Sequence, residues 1–139
     1  MKTTRNATAI ACALASLLFA TALAAAELPA WWPEEVPVLE EATIVEVDEA
    51  EDKGLPKVEF SVPAEGHSME SLVTHYADAL AAKGWTIDQR RAKGMSDSVT
   101  ATKRSADRRV IVTAWKPGTI FNKSKEAFRL EVIVYRSIP

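Results

Sequence analysis

From residue 42 onward the apolar positions follow two periods, and the switch between them marks the elements. Over Ser68–Ile87 the spacing is helical: Leu72, Val73, Tyr76 and Leu80 share one face, Met69 and Ala77 sit at its margins, and Thr74, Asp78 and Lys83 turn to water. Ser68 is placed to cap the first turn, where Glu70 complements the helix dipole. Gly84 stands where a left-handed residue closes a helix, and Trp85 is expected to fold back over Leu80 in a Schellman-type stop. Helix, stop and strand start therefore read as one unit.

Everywhere else the period is two. Ala42–Asp48 is a first strand, followed by an acidic turn, Glu49–Leu55. Lys57–Val62 alternates Val58, Phe60 and Val62 with Lys57, Glu59 and Ser61, so the pair predicts an antiparallel hairpin. Trp85–Arg91, Val99–Arg104, Val110–Trp115 and Phe128–Arg136 are four further strands. Ser105-Ala106-Asp107 is a short turn, and Lys116–Glu126, with Pro117-Gly118 and three lysines, is expected to be a mobile loop. The order β-β-α-β-β-β-β predicts one two-layer α+β domain over 42–139, a helix packed on an antiparallel sheet of about five to six strands.

Before this domain lies Glu27–Glu41, an arm with three of the seven prolines and two of the four tryptophans. Pro29, Pro33 and Pro37 recur every four residues, which excludes a regular helix and predicts an extended segment on the surface. Trp31 and Trp32 are adjacent, so an extended chain directs them to opposite sides. Either one is buried against the domain while the other stays available to bind, or both clamp the arm to the body.

Residues 1–26 read as a secretory signal peptide: basic Lys2 and Arg5, an apolar run Ala7–Ala24, and small-residue sites ending at Ala24 and Ala26. The run approaches the length of a membrane anchor, but it is mostly alanine; cleavage is expected near Ala26, leaving no transmembrane segment. Cys12 is the one cysteine of the chain and lies inside that run, not at its end, which argues against lipidation. The location implied is periplasmic or secreted. A mature chain without cysteine has no disulfide, thiol nucleophile or thiolate metal site, and packing alone must hold it.

Charge is unevenly placed. The 139 residues carry a formal net charge of −2, yet residues 27–66 carry −10 and residues 67–139 carry +6. Arg90, Arg91, Lys93, Lys103, Arg104, Arg108 and Arg109 are expected to collect at strand ends and loops. There they would bind the acidic face of another envelope protein or an anionic envelope surface, or serve only as solubilising strand-end charge that protects the edges. Nucleic acid does not suit an exported acidic chain. The candidate binding residues are therefore Trp31, Trp32, Arg90, Arg91, Lys103, Arg104, Arg108 and Arg109.

Catalytic and metal chemistry find little purchase. His67 and His75 are not an i, i+4 chelating pair. Ser96 and Ser98 lack a nucleophile elbow, and Asp48, Glu49, Glu51 and Asp52 lack the spacing of a calcium loop. No glycine-rich phosphate loop is present, so no catalytic residue, metal or cofactor is assigned.

The motif Y-x-x-x-L-x-x-x-G-W, here Tyr76, Leu80, Gly84 and Trp85, resembles one in small exported bacterial proteins and lipoproteins of unassigned function. In these a proline-containing arm leads into a hairpin, a helix ending in Gly-Trp, and a meander of strands. Their arm resembles L-P-x-Y-P-G-A; this chain keeps Pro37 and Ala42 of it, and has His75 where an aromatic often precedes the helix tyrosine. The resemblance implies the fold and the location, and assigns no catalytic residue. The expected function is a non-enzymatic binding or accessory module acting through a sheet face, a strand edge or the tryptophan arm. The alternatives are a small hydrolase or metal-dependent enzyme built on His67 and His75, and a structural envelope protein.

Overall fold

A local cap and a local stop set the one α-helix among the described residues. In the computed structural model, which describes residues 27–49 and 55–136, α1 spans Met69–Ala82. Ser68 Oγ accepts from the Ser71 amide at 3.0 Å, and Ser71 Oγ accepts from the Ser68 amide at 2.8 Å, a reciprocal capping box. At the other end the Gly84 amide donates to Ala81 O at 3.1 Å and the Trp85 amide to Leu80 O at 3.0 Å. That is the Schellman pattern, with Gly84 at φ +86°. Leu72, Val73, Tyr76, Ala77 and Leu80 are its buried face.

Six strands form one antiparallel sheet: β1 Thr43–Asp48, β2 Lys57–Pro63, β3 Thr86–Ala92, β4 Ser96–Lys103, β5 Arg108–Trp115 and β6 Ala127–Tyr135. Their spatial order is β1-β2-β6-β5-β4-β3. The chain is thus the expected α+β domain, with the last strand inserted at the centre. Phe128, Leu130, Val132 and Val134 of β6 are buried and alternate with half-buried residues, which suits a strand paired on both sides.

The helix lies over β3, β4 and β5. The arm roofs the remainder. Val36 is 2% exposed, the Trp32 ring meets Phe60 edge-on at 5.7 Å, and Trp31, Leu39 and Ala42 pack against the same core. The arm is not the straight extended segment expected. It is three tight turns, closed by Trp32 N–Pro29 O, Val36 N–Pro33 O and Ala42 N–Leu39 O at 3.0–3.1 Å. Proline lacks an amide donor, but its carbonyl still accepts across a turn.

Neither edge of the sheet is a plain strand. β1 carries a register shift at Val45 and β3 one at Asp88, each next to charged residues, the devices that blunt edge pairing. Residues 1–26, where the signal peptide is expected, and most of the acidic turn lie outside the described residues. Among the described residues no helix is long and apolar enough to cross a membrane.

A Cβ on Gly84 would meet nothing within 4 Å, so its substitution is costly through backbone conformation alone. Gly84→Ala is expected to lose about 1–2 kcal/mol. Trp85→Ala, which empties a site 4% exposed, should lose roughly 3–5 kcal/mol. Urea midpoints at unchanged slope would read both, and a Trp85→Ala loss no greater than that of Gly84→Ala would contradict this account.

Candidate functional site

The residues expected to bind do not converge. β3, β4 and β5 are neighbours, but their antiparallel pairing separates the cations into two groups. Arg90 and Arg91 face Val99 and Ser98 near the β3–β4 turn, whereas Lys103 faces Arg108 at the opposite end. Four residues of strand separate Val99 from Lys103, about 13 Å.

Several of these side chains already have partners. Lys103 Nζ donates to Glu35 Oε1 at 2.5 Å and to the Lys83 carbonyl at 3.0 Å. Arg109 donates to Thr102 Oγ1 at 3.3 Å and lies 6.0 Å from the centre of the Tyr135 ring. Arg90 donates to Thr74 Oγ1 at 2.9 Å. Arg104 opens the short 3-10 turn Arg104–Ala106. Both tryptophans are engaged as well: Trp31 Nε1 donates to Glu49 at 2.6 Å and Trp32 Nε1 to the Val36 carbonyl at 3.1 Å.

The histidines are apart too. His67 Nε2 lies 2.6 Å from Glu41 Oε1, while His75 is exposed, its ring edge-on to Tyr76 at 5.8 Å. Burial pushes the Tyr76 phenol far up from its ordinary range, so it stays protonated. Among the described residues no cluster of His, Asp and Glu could hold a metal ion.

What the structure does assemble lies on the sheet face opposite α1, which neither helix nor arm covers. Register aligns Glu46 of β1 with Glu59 of β2, and Glu59 with Glu131 of β6. Three carboxylates in a row on neighbouring strands repel, and two cations offset them. Lys57 Nζ lies 2.9 Å from Glu59 and 3.8 Å from Glu131; Arg129 pairs with Glu59 and lies 3.7 Å from Glu131. Glu59 is only 5% exposed. Its burial pushes the carboxyl up, but the hydrogen bonds and charges of Arg129 and Lys57 together outweigh that and hold it below the ordinary carboxylate range. Glu59 is therefore ionised at neutral pH and has no proton to donate.

Residues 116–126 fold over one end of this face. The loop expected to be mobile is tied down: the Asn122 side-chain amide donates to Trp115 O at 3.2 Å and Ala127 O at 2.9 Å, and Arg129 donates to Phe121 O at 2.7 Å. The Phe121 ring lies 4.8 Å from Trp115. Two adjoining pockets, of about 210 and about 420 Å3, share Glu59, Asn122 and Arg129. Val45, Phe60 and Phe128 border the first; Glu46, Ile120, Phe121 and Lys123 border the second. At their rim Ile120 is 77% exposed, Val45 66% and Phe121 45%.

Sequence reading missed this group. It put Glu59 among the polar positions of an alternating strand, which is right, but alternation says nothing about which strand lies beside it. Asn122 gives only one signal, a lone amide in a lysine-rich loop. No protein-family model, curated protein or solved structure matches the chain.

Because the folded-state pKa of Glu59 lies below its unfolded value of about 4.3, the stability it contributes is complete above that pH. It is lost as pH falls through the lowered folded value. Glu59→Gln is expected to cost about 1–3 kcal/mol at pH 7 and to flatten the loss of stability below about pH 4.5. Urea denaturation from pH 7 to pH 3 would read this; equal acid slopes in both proteins would remove Glu59 from the account.

Proposed function

We propose that the protein is an exported, non-enzymatic binding or accessory module of the cell envelope that works through the open face of its sheet. The observation that carries this is the rim of Val45, Ile120 and Phe121, three large apolar side chains left exposed around a pinned loop and a charged floor. An apolar patch rimmed by charge is a common form of protein-binding surface. The other routes considered are weaker. Both tryptophans of the arm are engaged within the fold, and both sheet edges carry bulges. The two histidines lie apart, one paired with a carboxylate and the other facing solvent. Export is supported by the basic start, apolar run and small-residue site of residues 1–26. The partner class that fits is another envelope protein, with an apolar contact at its centre and polar contacts to Glu46 and Lys123.

Ile120→Asp and Phe121→Ser should abolish cross-linking to that partner in envelope fractions. Because Ile120 is exposed, Ile120→Asp should also leave stability within about 0.5 kcal/mol of wild type. If the same cross-linked products form with both variants, the open face is not the binding surface.

A further inference from the structure

A further pocket, of about 350 Å3, lies in the corner between the first turns of α1 and the β3–β4 hairpin. Glu70, Val73, Arg90, Arg91, Ala92 and Asp97 border it. Register decides which strand side chains turn toward the helix. Arg90 pairs with Val99, a core residue, and Ala92 pairs with Asp97, so Arg90, Ala92 and Asp97 project to the helix side. Arg91 projects to the other face. Glu70 and Val73, three apart on α1, look down on the same corner.

The Arg90 guanidinium is oriented by its bond to Thr74 Oγ1 at 2.9 Å, which uses one of its five N–H donors. Among the described residues, the side-chain carboxylates of Glu70 and Asp97 form no hydrogen bond or ion pair. One fixed cation and two carboxylates therefore border a single cavity without closing on one another. Two carboxylates against one guanidinium do not suit a simple anion. A bare metal ion is disfavoured as well, since no sufficient ligand group is present and Arg90 would repel it.

We infer that this corner binds the head of an α-amino acid, either free or as the amino end of a peptide. The α-ammonium lies between Glu70 and Asp97, and the neighbouring carboxylate or carbonyl oxygen accepts from Arg90. The volume is at the small end of ligand pockets, which suits one or two residues. The inference is independent of the open-face reading, because the two sites share no residue.

Amide chemical shifts of the full-length chain, titrated with L-alanine, L-alanyl-L-alanine and N-acetyl-L-alanyl-L-alanine, test it. Saturable shifts at Val73, Ala92 and Asp97 are expected with one or both free-amine ligands and not with the acetylated one. Binding of alanine alone identifies a free amino acid, and binding of the dipeptide identifies a peptide terminus. Glu70→Gln with Asp97→Asn, and separately Arg90→Gln, should each weaken binding about ten-fold or more, with the β5 and β6 amides unmoved. The inference is overturned by no saturable shift up to about 10 mM of any ligand, by equal binding of the acetylated peptide, or by neutral variants that bind as wild type. The acetylation comparison uses wild-type protein alone, so it remains decisive if a variant fails to fold.

Discussion

One helix is too narrow to roof this sheet. Six strands about 4.8 Å apart make a surface about 24 Å wide, whereas a helix with its side chains is about 10–12 Å across. α1 covers β3, β4 and β5, and the apolar side chains of β1, β2 and β6 would otherwise face water. The arm solves this, which is why Val36 is as deeply buried as the helix residues and why Trp32 packs on Phe60. Glu35 joins the two roofs. Its carboxylate accepts from Lys103 Nζ and from Trp85 Nε1 at 2.8 Å, and these two bonds, Lys103 first, hold its pKa below the ordinary range. Arm, helix stop and the end of β4 meet at this carboxylate.

The same pairings account for much of the charge asymmetry. Glu35–Lys103, Glu41–His67 and Glu59–Arg129 each join a carboxylate of the acidic first part to a cation or histidine of the basic second part. At these three pairs the described part of the acidic segment is folded against the basic body, not held apart from it. Surface pairs of this kind contribute little individually, so their value here lies in positioning the arm. Glu59 differs because it is buried and its charge depends on both neighbours.

The helix was legible from sequence because its signals are local: a capping serine, a periodic face, and Gly84-Trp85 within a few residues of one another. The strands were legible for the same reason, since alternation is a property of each strand alone. Strand order is not local. Nothing in Phe128–Arg136 says that it enters between β2 and β5, and that insertion brings Glu131 beside Glu59 and Arg129 beside the 116–126 loop. The basic residues show the same limit. Their number was visible, but their division between two ends of the sheet follows from hairpin direction, and their partners, Glu35 for Lys103, Thr74 for Arg90 and Thr102 for Arg109, follow from the fold. Adjacent tryptophans left open whether one stays available or both clamp the arm, and the turns of the arm engage both, Trp31 with Glu49 and Trp32 with the Val36 carbonyl.

Lys103 and Arg90 make the distinction that matters for function. Both are cations on neighbouring strands, and sequence gives no reason to separate them. Lys103 lies at the end of the sheet where the arm arrives, so Glu35 occupies it and it becomes part of the fold. Arg90 lies on edge strand β3 at the other end of the sheet, where it donates to Thr74 and no arm residue borders the pocket it shares with Glu70 and Asp97. A charge that one roof satisfies for the other is structural; a charge left facing a pocket, with donors to spare, is open to a ligand.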